Sequence, residues 1–214
     1  MFLQVPAVPA AASQVAPLSN RRSALGRLGL TGLALVASSS PVAAALAKVN
    51  KTAEKSVAAS GLPLEWLSLQ DGQVLFDYTR YLVALKLRHI TPQQVIAAHA
   101  KSHGTIWNTL PPKAWWNRMG YTLRVVDRIA LYLGMPVQEI VSAYRCPAYN
   151  AHCPGAKSGS WHQANVAVDV VFPTQPSAVT AMSRNVRDRG LFKGGIGAYP
   201  TFTHIDTRGE NINW

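Results

Sequence analysis

Two histidines and an aspartate in the C-terminal half of the chain have the side chains that a catalytic metal site requires. His162 and Asp169 lie close together in sequence, and His204 follows on a separate segment. Catalytic zinc sites take three protein ligands from His, Asp, Glu or Cys and leave one position for water. Residues 157–161, which are mostly small, allow His162 to fold over towards Asp169. We therefore predict that His162, Asp169 and His204 bind one zinc ion.

The segments that carry Asp169 and His204 have the pattern of β-strands. Residues 166–172 form an apolar run rich in β-branched side chains, where a single carboxylate is costly to bury unless it is paired or bound to a metal. Asp169 is therefore a metal ligand or a buried ion-pair partner. Residues 202–206 follow a glycine-rich turn and also predict a strand. Because side chains alternate along a strand, His204 and Asp206 face the same side, where Asp206 either fixes the imidazole tautomer or transfers a proton.

Upstream segments predict helices, because their apolar residues are spaced three and four apart. One amphipathic helix starts at about Gln73. A second starts at residues 91–92, a Thr-Pro pair suited to an N-cap and a first helical position, and runs to about His99. A third ends at Gly134. Residues 137–144 then form a short strand that enters the site.

His99 and His103 have the i, i+4 spacing of two metal ligands on one helical face. The glutamate that accompanies such a pair in metalloproteases is missing, and Gly104 follows directly. We therefore predict that both histidines are surface residues near a helix C-terminus, where a partly protonated imidazole suits the helix dipole.

Residues 1–47 have the composition of an export signal. They contain three arginines and no acidic residue, with Arg21 and Arg22 followed by a mildly apolar run and then small residues at 45–47. The paired arginines suggest the twin-arginine route, and an ordinary secretory signal is the alternative. The apolar run is too short and too interrupted for a transmembrane helix, so we expect no membrane span after signal removal and a location in the periplasm or cell envelope.

The predicted mature chain is strongly basic. Without residues 1–47 it contains 18 Lys and Arg against 10 Asp and Glu, a formal charge of +8. A basic exported protein is attracted to the polyanions of a cell envelope, including peptidoglycan carboxylates. The basic residues are scattered, without the basic run and interleaved aromatics of a nucleic-acid site, so we do not expect nucleic acid as a partner. We expect a monomer.

The two cysteines, Cys146 and Cys153, lie in a turn-rich stretch next to the predicted site. In an oxidising compartment they can close a small disulfide loop. They can also ligate zinc, but the C-x6-C spacing lacks the usual C-x2-C pair. We therefore predict a disulfide between Cys146 and Cys153.

The order and spacing of these motifs resemble the zinc D-Ala-D-Ala carboxypeptidase and murein endopeptidase family, whose fold is shared with lysostaphin-type peptidases and the hedgehog signalling domain. The resemblance covers about residues 110–214. The matching positions are Ser142-x-Tyr144-Arg145, Asn150, Ser160-x-His162, Ala167-x-Asp169, Gly194-Gly195-x-Gly197-x-Tyr199-Pro200 and Phe202-x-His204-x-Asp206.

This resemblance implies hydrolysis of a peptide bond in the peptidoglycan stem or cross-link, by zinc bound at the three ligand positions named above. It implies that Arg145 holds a substrate carboxylate or carbonyl and that Ser160 supports the metal loop or the substrate. Tyr144, which precedes Arg145 in the motif, is assigned to the substrate site. We assign the catalytic roles to Asp206, as the general base, and to Arg145.

Two positions depart from the family pattern. Asn165 replaces a usual glycine, and asparagine tolerates left-handed backbone angles better than other residues, so the turn can survive. Thr201 stands where many relatives have a carboxylate. The main alternative is therefore a zinc-containing cell-wall binding module of the same fold that has lost hydrolysis. A basic envelope protein that binds wall polymers without metal is a third possibility.

The patterns together give a fold class and a division of the chain. We expect an α+β fold in which a small antiparallel sheet carries the zinc site and helices flank it. We divide the chain into an export signal at 1–47, a linker at 48–64, an N-terminal helical segment at 65–109 and a zinc peptidase domain at 110–214.

Overall fold

The computed structural model describes residues 61–214, so the predicted export signal and nearly all of the predicted linker lie outside the described residues. Helices and strands alternate along this range, which confirms the α+β class. The α-helices are α1 (Leu64–Ser68), α2 (Gly72–Ala84), α3 (Pro92–His99), α4 (Trp116–Leu133), α5 (Pro147–His152) and α6 (Pro176–Asp188), with a 3-10 turn at Lys113–Trp115 before α4.

The helix ends follow the local signals in the sequence. Asp71 caps α2 by accepting hydrogen bonds from the backbone N–H groups of its first turn. Thr91 and Gln94 form a reciprocal capping box at the start of α3. Helix α4 ends at Gly134, whose φ of 69° lies in the left-handed region that glycine adopts without steric cost. The three helices predicted from periodicity are therefore confirmed.

A five-stranded sheet, in the order β3-β4-β6-β5-β7, forms the C-terminal half of the described range. Its strands are β3 (Glu139–Ser142), β4 (Ala167–Val171), β5 (Gly195–Ala198), β6 (Thr203–Asp206) and β7 (Ile212–Asn213); a separate two-stranded ribbon pairs β1 (Ser102–His103) with β2 (Ile106–Trp107). The sheet is not wholly antiparallel, in contrast to the prediction, because β7 runs parallel to β5. The turn after β6 reverses the chain and sends β7 along the direction of β5.

One hydrophobic core joins the N-terminal helices to the sheet. Buried side chains from α2, α4 and the sheet belong to a single cluster that includes Tyr78, Ile129, Ile140 and Ile205. The side-chain amide of Gln94 in α3 also donates to the carbonyl oxygen of Val137, 2.7 Å away. The helices of residues 65–109 therefore pack as part of the same unit as the sheet, and their burial holds it in place. None of the helices in residues 61–214 has the length and apolar character needed to cross a bilayer.

His99 is a core residue, so its predicted surface position is wrong. Its side chain is completely buried, and its Nε2 lies 3.2 Å from the hydroxyl oxygen of Tyr78. Burial lowers its pKa to about 4, which keeps the imidazole neutral. The physical reason is helical periodicity: Val95 and Ile96, one turn earlier, are buried and place His99 on the same apolar face of α3.

The two cysteines are free thiols in the structure, in contrast to the predicted disulfide. Cys146 and Cys153 flank helix α5, one at each end. A helix rises ~1.5 Å per residue, so this helix places the two Cα atoms ~10 Å apart, beyond the ~7 Å that a disulfide can bridge. The Cys153 thiol instead lies 3.4 Å from the carbonyl oxygen of Tyr149.

Candidate metal centre

The register of the sheet brings Asp169 and His204 together. Strand β4 pairs antiparallel with β6, and the residue opposite Asp169 is His204. Directly opposed residues on paired strands project to the same face, so the two side chains meet. His204 Nδ1 lies 2.7 Å from Asp169 Oδ1. The two strands predicted from the sequence thus supply two of the three predicted ligands.

His162 reaches the same place from a turn that precedes β4. Its Nδ1–H donates to the carbonyl oxygen of Ala143, 2.7 Å away, which leaves the lone pair on Nε2. That nitrogen faces Asp169 Oδ2 at 3.3 Å. Asn165 completes the turn with a φ of 59°, and its side-chain amide donates to the carbonyl oxygen of Trp115. Asparagine therefore takes the left-handed position where the family pattern has glycine, as the sequence predicted.

The donor set fits a zinc ion. One ligand atom from each of His162, Asp169 and His204 lies within 4.8 Å of the others, and all three residues are buried. Two imidazole nitrogens and one carboxylate oxygen are a typical set of protein ligands for a catalytic zinc site. The hydrogen bond from His162 Nδ1–H to the Ala143 carbonyl oxygen fixes the orientation of the imidazole, as such bonds do for metal-bound histidines.

Ionisation of the three side chains is set by their burial and by each other. Burial lowers the pKa of His162 despite the nearby Asp169, so its Nε2 keeps a lone pair. Burial opposes ionisation of Asp169, but the two histidines outweigh it and hold its pKa well below the usual range. Burial likewise opposes protonation of His204, but hydrogen bonds to Asp169 and Asp206 raise its pKa. A proton on His204 would compete with a metal ion for Nδ1.

Asp206 supports His204 from the opposite side of the ring. Its side chain is completely buried, and its Oδ2 lies 3.1 Å from His204 Nε2. Oδ1 accepts hydrogen bonds from the backbone N–H groups of Gly195 and Arg208, at 3.0 and 3.1 Å, and the Arg208 guanidinium pairs with both oxygens. Burial opposes ionisation, but these hydrogen bonds hold the pKa of Asp206 well below its usual range. Such a carboxylate is a weak proton acceptor, and it fixes the Nε2–H tautomer of His204.

A known protein family matches most of the range that carries this site. The family described as peptidase M15 matches residues 88–206, more than half of the chain. The chain belongs to the peptidase M15 family. This confirms the recognition made from the sequence motifs and makes the chain a member of a family of zinc metallopeptidases. Comparison with curated proteins and with solved structures gave no match.

In this M15 peptidase, Arg145 lies against the metal centre. Its Nη2 donates to Asp169 Oδ2 at 2.8 Å and its Nε donates to the hydroxyl oxygen of Ser142 at 2.7 Å. The hydroxyl oxygen of Ser160 accepts from the backbone N–H of His162 at 3.4 Å, so Ser160 supports the metal loop. Tyr144 is buried, and its ring contacts Trp115 edge-on. The structure thus brings Arg145 and Ser160 to the centre and places the Tyr144 ring in a small aromatic cluster beside it.

Two residues that contact this centre were missed by sequence analysis. Arg208 pairs with Asp206, and the indole of Trp214 lies with its centroid 5.2 Å from that of the His204 ring. Both follow Asp206, the last position of the matching motifs, so the motifs gave no indication of them. The available signal was the glycine spacing of β5: a Cβ on Gly195 or Gly197 would lie within 3 Å of the Trp214 indole.

Proposed function

We propose that this M15 peptidase is an exported zinc metallopeptidase that hydrolyses a peptide bond in the peptidoglycan stem peptide or cross-link, and that it acts in the periplasm or cell envelope. The observation that carries the proposal is the convergence of His162, Asp169 and His204, whose ligand atoms lie within 4.8 Å of one another in a buried setting. The formal charge of +8 expected for the mature chain favours binding to the anionic cell wall.

Hydrogen bonds hold the three proposed ligands in orientations that suit a zinc ion. A zinc ion held by His162 Nε2, the Asp169 carboxylate and His204 Nδ1 would polarise the scissile carbonyl and lower the pKa of the attacking water. The Ala143 carbonyl accepts from Nδ1 of His162, and the Asp206 carboxylate accepts from Nε2 of His204. Each imidazole is therefore held with its other nitrogen facing Asp169.

Arg145 is the proposed substrate anchor. Its side chain is 17% exposed, so part of the guanidinium reaches solvent while Nη2 and Nε hold Asp169 and Ser142. A guanidinium has five N–H donors in a planar fork, and those that remain suit a carboxylate or carbonyl of the peptide. Arg145 also offsets the negative charge of Asp169. We propose that it orients the substrate at the metal without itself transferring a proton.

Two residues bear on which group accepts the proton from the attacking water. Asp206 was predicted to be the general base, but its burial and its hydrogen bonds suit it to positioning His204. Thr201, at the position where many relatives carry a carboxylate, is an exposed turn residue. These two observations favour the alternative, a zinc-containing cell-wall binding module without hydrolytic activity.

Incubation of the mature protein with purified peptidoglycan, with and without a chelator, tests the two functions. The peptidase predicts new muropeptides that disappear when the metal is removed and return when zinc is restored. Their masses identify the cleaved bond, as D,D or L,D, and separate end trimming from opening of cross-links. Bound zinc without new fragments would support the binding module. Protein without zinc affinity would exclude both zinc functions.

A further inference from the structure

Three exposed aromatic residues lie next to one another: Trp161 and Trp214 both contact Arg208, and Tyr199 is hydrogen-bonded to Trp214. We call Trp161, Tyr199 and Trp214 the aromatic platform. Their exposed fractions are 39%, 39% and 44%. Trp161 precedes His162 in the metal loop, and the Trp214 ring contacts the ring of His204. Large aromatic side chains exposed together at the edge of a site mark a binding surface more often than a random surface position.

Arg208 holds the aromatic platform in place. The Arg208 guanidinium lies between the two indoles, 4.9 Å from the ring centroid of Trp161 and 5.1 Å from that of Trp214. The same guanidinium is fixed by its ion pair with Asp206. A cation between two aromatic faces stabilises both, and the pair with Asp206 sets the position of the cation. Arg208 therefore links the aromatic platform to Asp206, the residue that is hydrogen-bonded to His204.

Trp214 is fixed along strand β5. Its backbone N–H donates to the carbonyl oxygen of Ile196 at 3.2 Å, and its carbonyl oxygen accepts from the backbone N–H of Ala198 at 2.8 Å. Its indole Nε1–H donates to the hydroxyl oxygen of Tyr199 at 3.0 Å. A Cβ on Gly197 would lie only 2.6 Å from Trp214 Nε1, so glycine is required for the indole to lie close to the strand.

The charge of the platform indicates the class of ligand. The positive charge of Arg208 is paired with Asp206, and its guanidinium lies against the rings of Trp161 and Trp214, so the exposed side chains of the platform are aromatic. The Tyr199 hydroxyl accepts from Trp214 and can still donate its own hydrogen. Flat rings with a hydroxyl donor at the edge suit a neutral pyranose, whose C–H face packs on aromatic rings. The Arg208 guanidinium is already paired with Asp206, so it has less charge to offer an anionic peptide group.

We propose that the aromatic platform is a carbohydrate subsite that holds a sugar ring of the glycan strand while the attached peptide lies at the metal centre. The inference rests on the proposed function, because it takes peptidoglycan as the substrate. It assigns Trp161, Tyr199 and Trp214 to recognition of the glycan and leaves recognition of the peptide to Arg145. The enzyme would then distinguish peptides attached to glycan from free peptides.

A titration of the zinc-loaded protein with a tetramer of β-1,4-linked N-acetylglucosamine, a neutral glycan without peptide, tests the subsite. We expect saturable binding by calorimetry and a loss of affinity of about tenfold or more in Trp214→Ala and in Trp161→Ala. Trp214→Phe, which keeps an aromatic face, retains most of the affinity. The matched control is Tyr132→Ala, since Tyr132 is an exposed aromatic of α4 that stacks on Arg189 at 5.2 Å; it binds the tetramer as the wild type does.

The zinc affinity of each variant is measured by competition with a chromophoric chelator. It shows whether the tryptophan contacts the sugar or instead stabilises His204. The proposal requires at least one of the two tryptophan variants to lose the tetramer while its zinc affinity is unchanged. Absence of saturable binding in the wild type, unchanged binding in both variants, or an equal loss in Tyr132→Ala would overturn it. Tetramer binding without muropeptide release would leave the subsite standing and contradict the hydrolytic function alone.

Discussion

His99 and His204 are both buried histidines, but their surroundings give them opposite properties. His99 lies in the apolar core with the Tyr78 hydroxyl at its Nε2, and burial lowers its pKa to about 4. His204 lies between the carboxylates of Asp169 and Asp206, and its pKa is raised although burial opposes protonation. Burial alone therefore does not distinguish a structural histidine from a ligand; the neighbouring carboxylates do.

The difference extends to what each ring can bind. Among the described residues His99 has no carboxylate partner, and its ring centroid lies 5.7 Å from that of Tyr78 and 6.5 Å from that of Tyr144. His204 Nδ1 faces Asp169 Oδ1, and His204 Nε2 faces Asp206 Oδ2. The other oxygen of Asp169, Oδ2, lies 3.3 Å from His162 Nε2. The negative charge of the Asp169 and Asp206 carboxylates would favour a cation bound among these atoms, as in the site of a divalent metal. Substitution of each histidine, and then of its hydrogen-bond partner, tests this difference between the two environments.

The largest effect is expected from His204→Ala. Removal of one of three ligands leaves a site that cannot hold zinc, so we expect bound zinc to fall to background and peptidoglycan hydrolysis to be lost. Metal content measured after dialysis against dilute zinc, with circular dichroism to follow folding, checks this. His152→Ala is the control, because His152 is an exposed histidine of α5 and its loss leaves zinc in place. Full zinc content in His204→Ala would disprove the ligand assignment.

His99 predicts an acid-dependent loss of stability. The unfolded chain takes up a proton at His99 below about pH 6.5, whereas the folded protein does so only below about 4. The contribution of His99 to the free energy of unfolding is therefore complete above pH 6.5, falls as the pH decreases and levels off below 4, with a total loss of about 3 kcal/mol. His99→Gln cannot titrate but can still bond to Tyr78, so the difference in urea stability between the two proteins should show this slope. A constant difference from pH 7 to 4 would contradict it.

The ligand set could be predicted from the sequence because its signals are local. Asp169 is an acid within an apolar strand, and His204 and Asp206 alternate along another, so two short patterns sufficed to place three side chains. The pairing of β4 with β6, which puts Asp169 beside His204, follows from neither pattern alone. It is seen only in the folded sheet.

The disulfide that the structure contradicts and the role of Asp206 that stays open have the opposite origin, because both depend on contacts between separate parts of the chain. Helix α5 separates Cys146 from Cys153, and Pro147 at its first position was an N-terminal helix signal that the cysteine spacing obscured. The role of Asp206 depends on Arg208, and Arg208 is held by rings from two distant segments. Contacts of this kind are formed only when the chain has folded, and the glycines of β5 show that something packs closely there but not which residue it is.

Asp206→Asn removes the negative charge next to His204, while the asparagine side chain keeps the shape of the aspartate. The outer hydrogen-bond partner of a metal-bound histidine contributes about 10–100-fold to metal affinity, so we expect zinc affinity to fall by that amount without being abolished. Competition with a chromophoric chelator measures it. If Asp206 is instead the general base, kcat falls by several orders of magnitude in fully zinc-loaded protein while the affinity stays at the wild-type value.

Tyr78→Phe is the matching change at His99 and has the smallest expected effect. It removes the hydroxyl group that lies 3.2 Å from His99 Nε2 and leaves a buried nitrogen without that partner. The cost is about 1 kcal/mol of the free energy of unfolding, with an upper limit of about 3 kcal/mol for an unsatisfied buried group. Zinc affinity should be unchanged, because Tyr78 and His99 are not among the residues that contact the metal ligands. Urea unfolding and chelator competition on the same preparation measure both quantities, and a fall in zinc affinity comparable to that of Asp206→Asn would show that the two histidine environments are coupled.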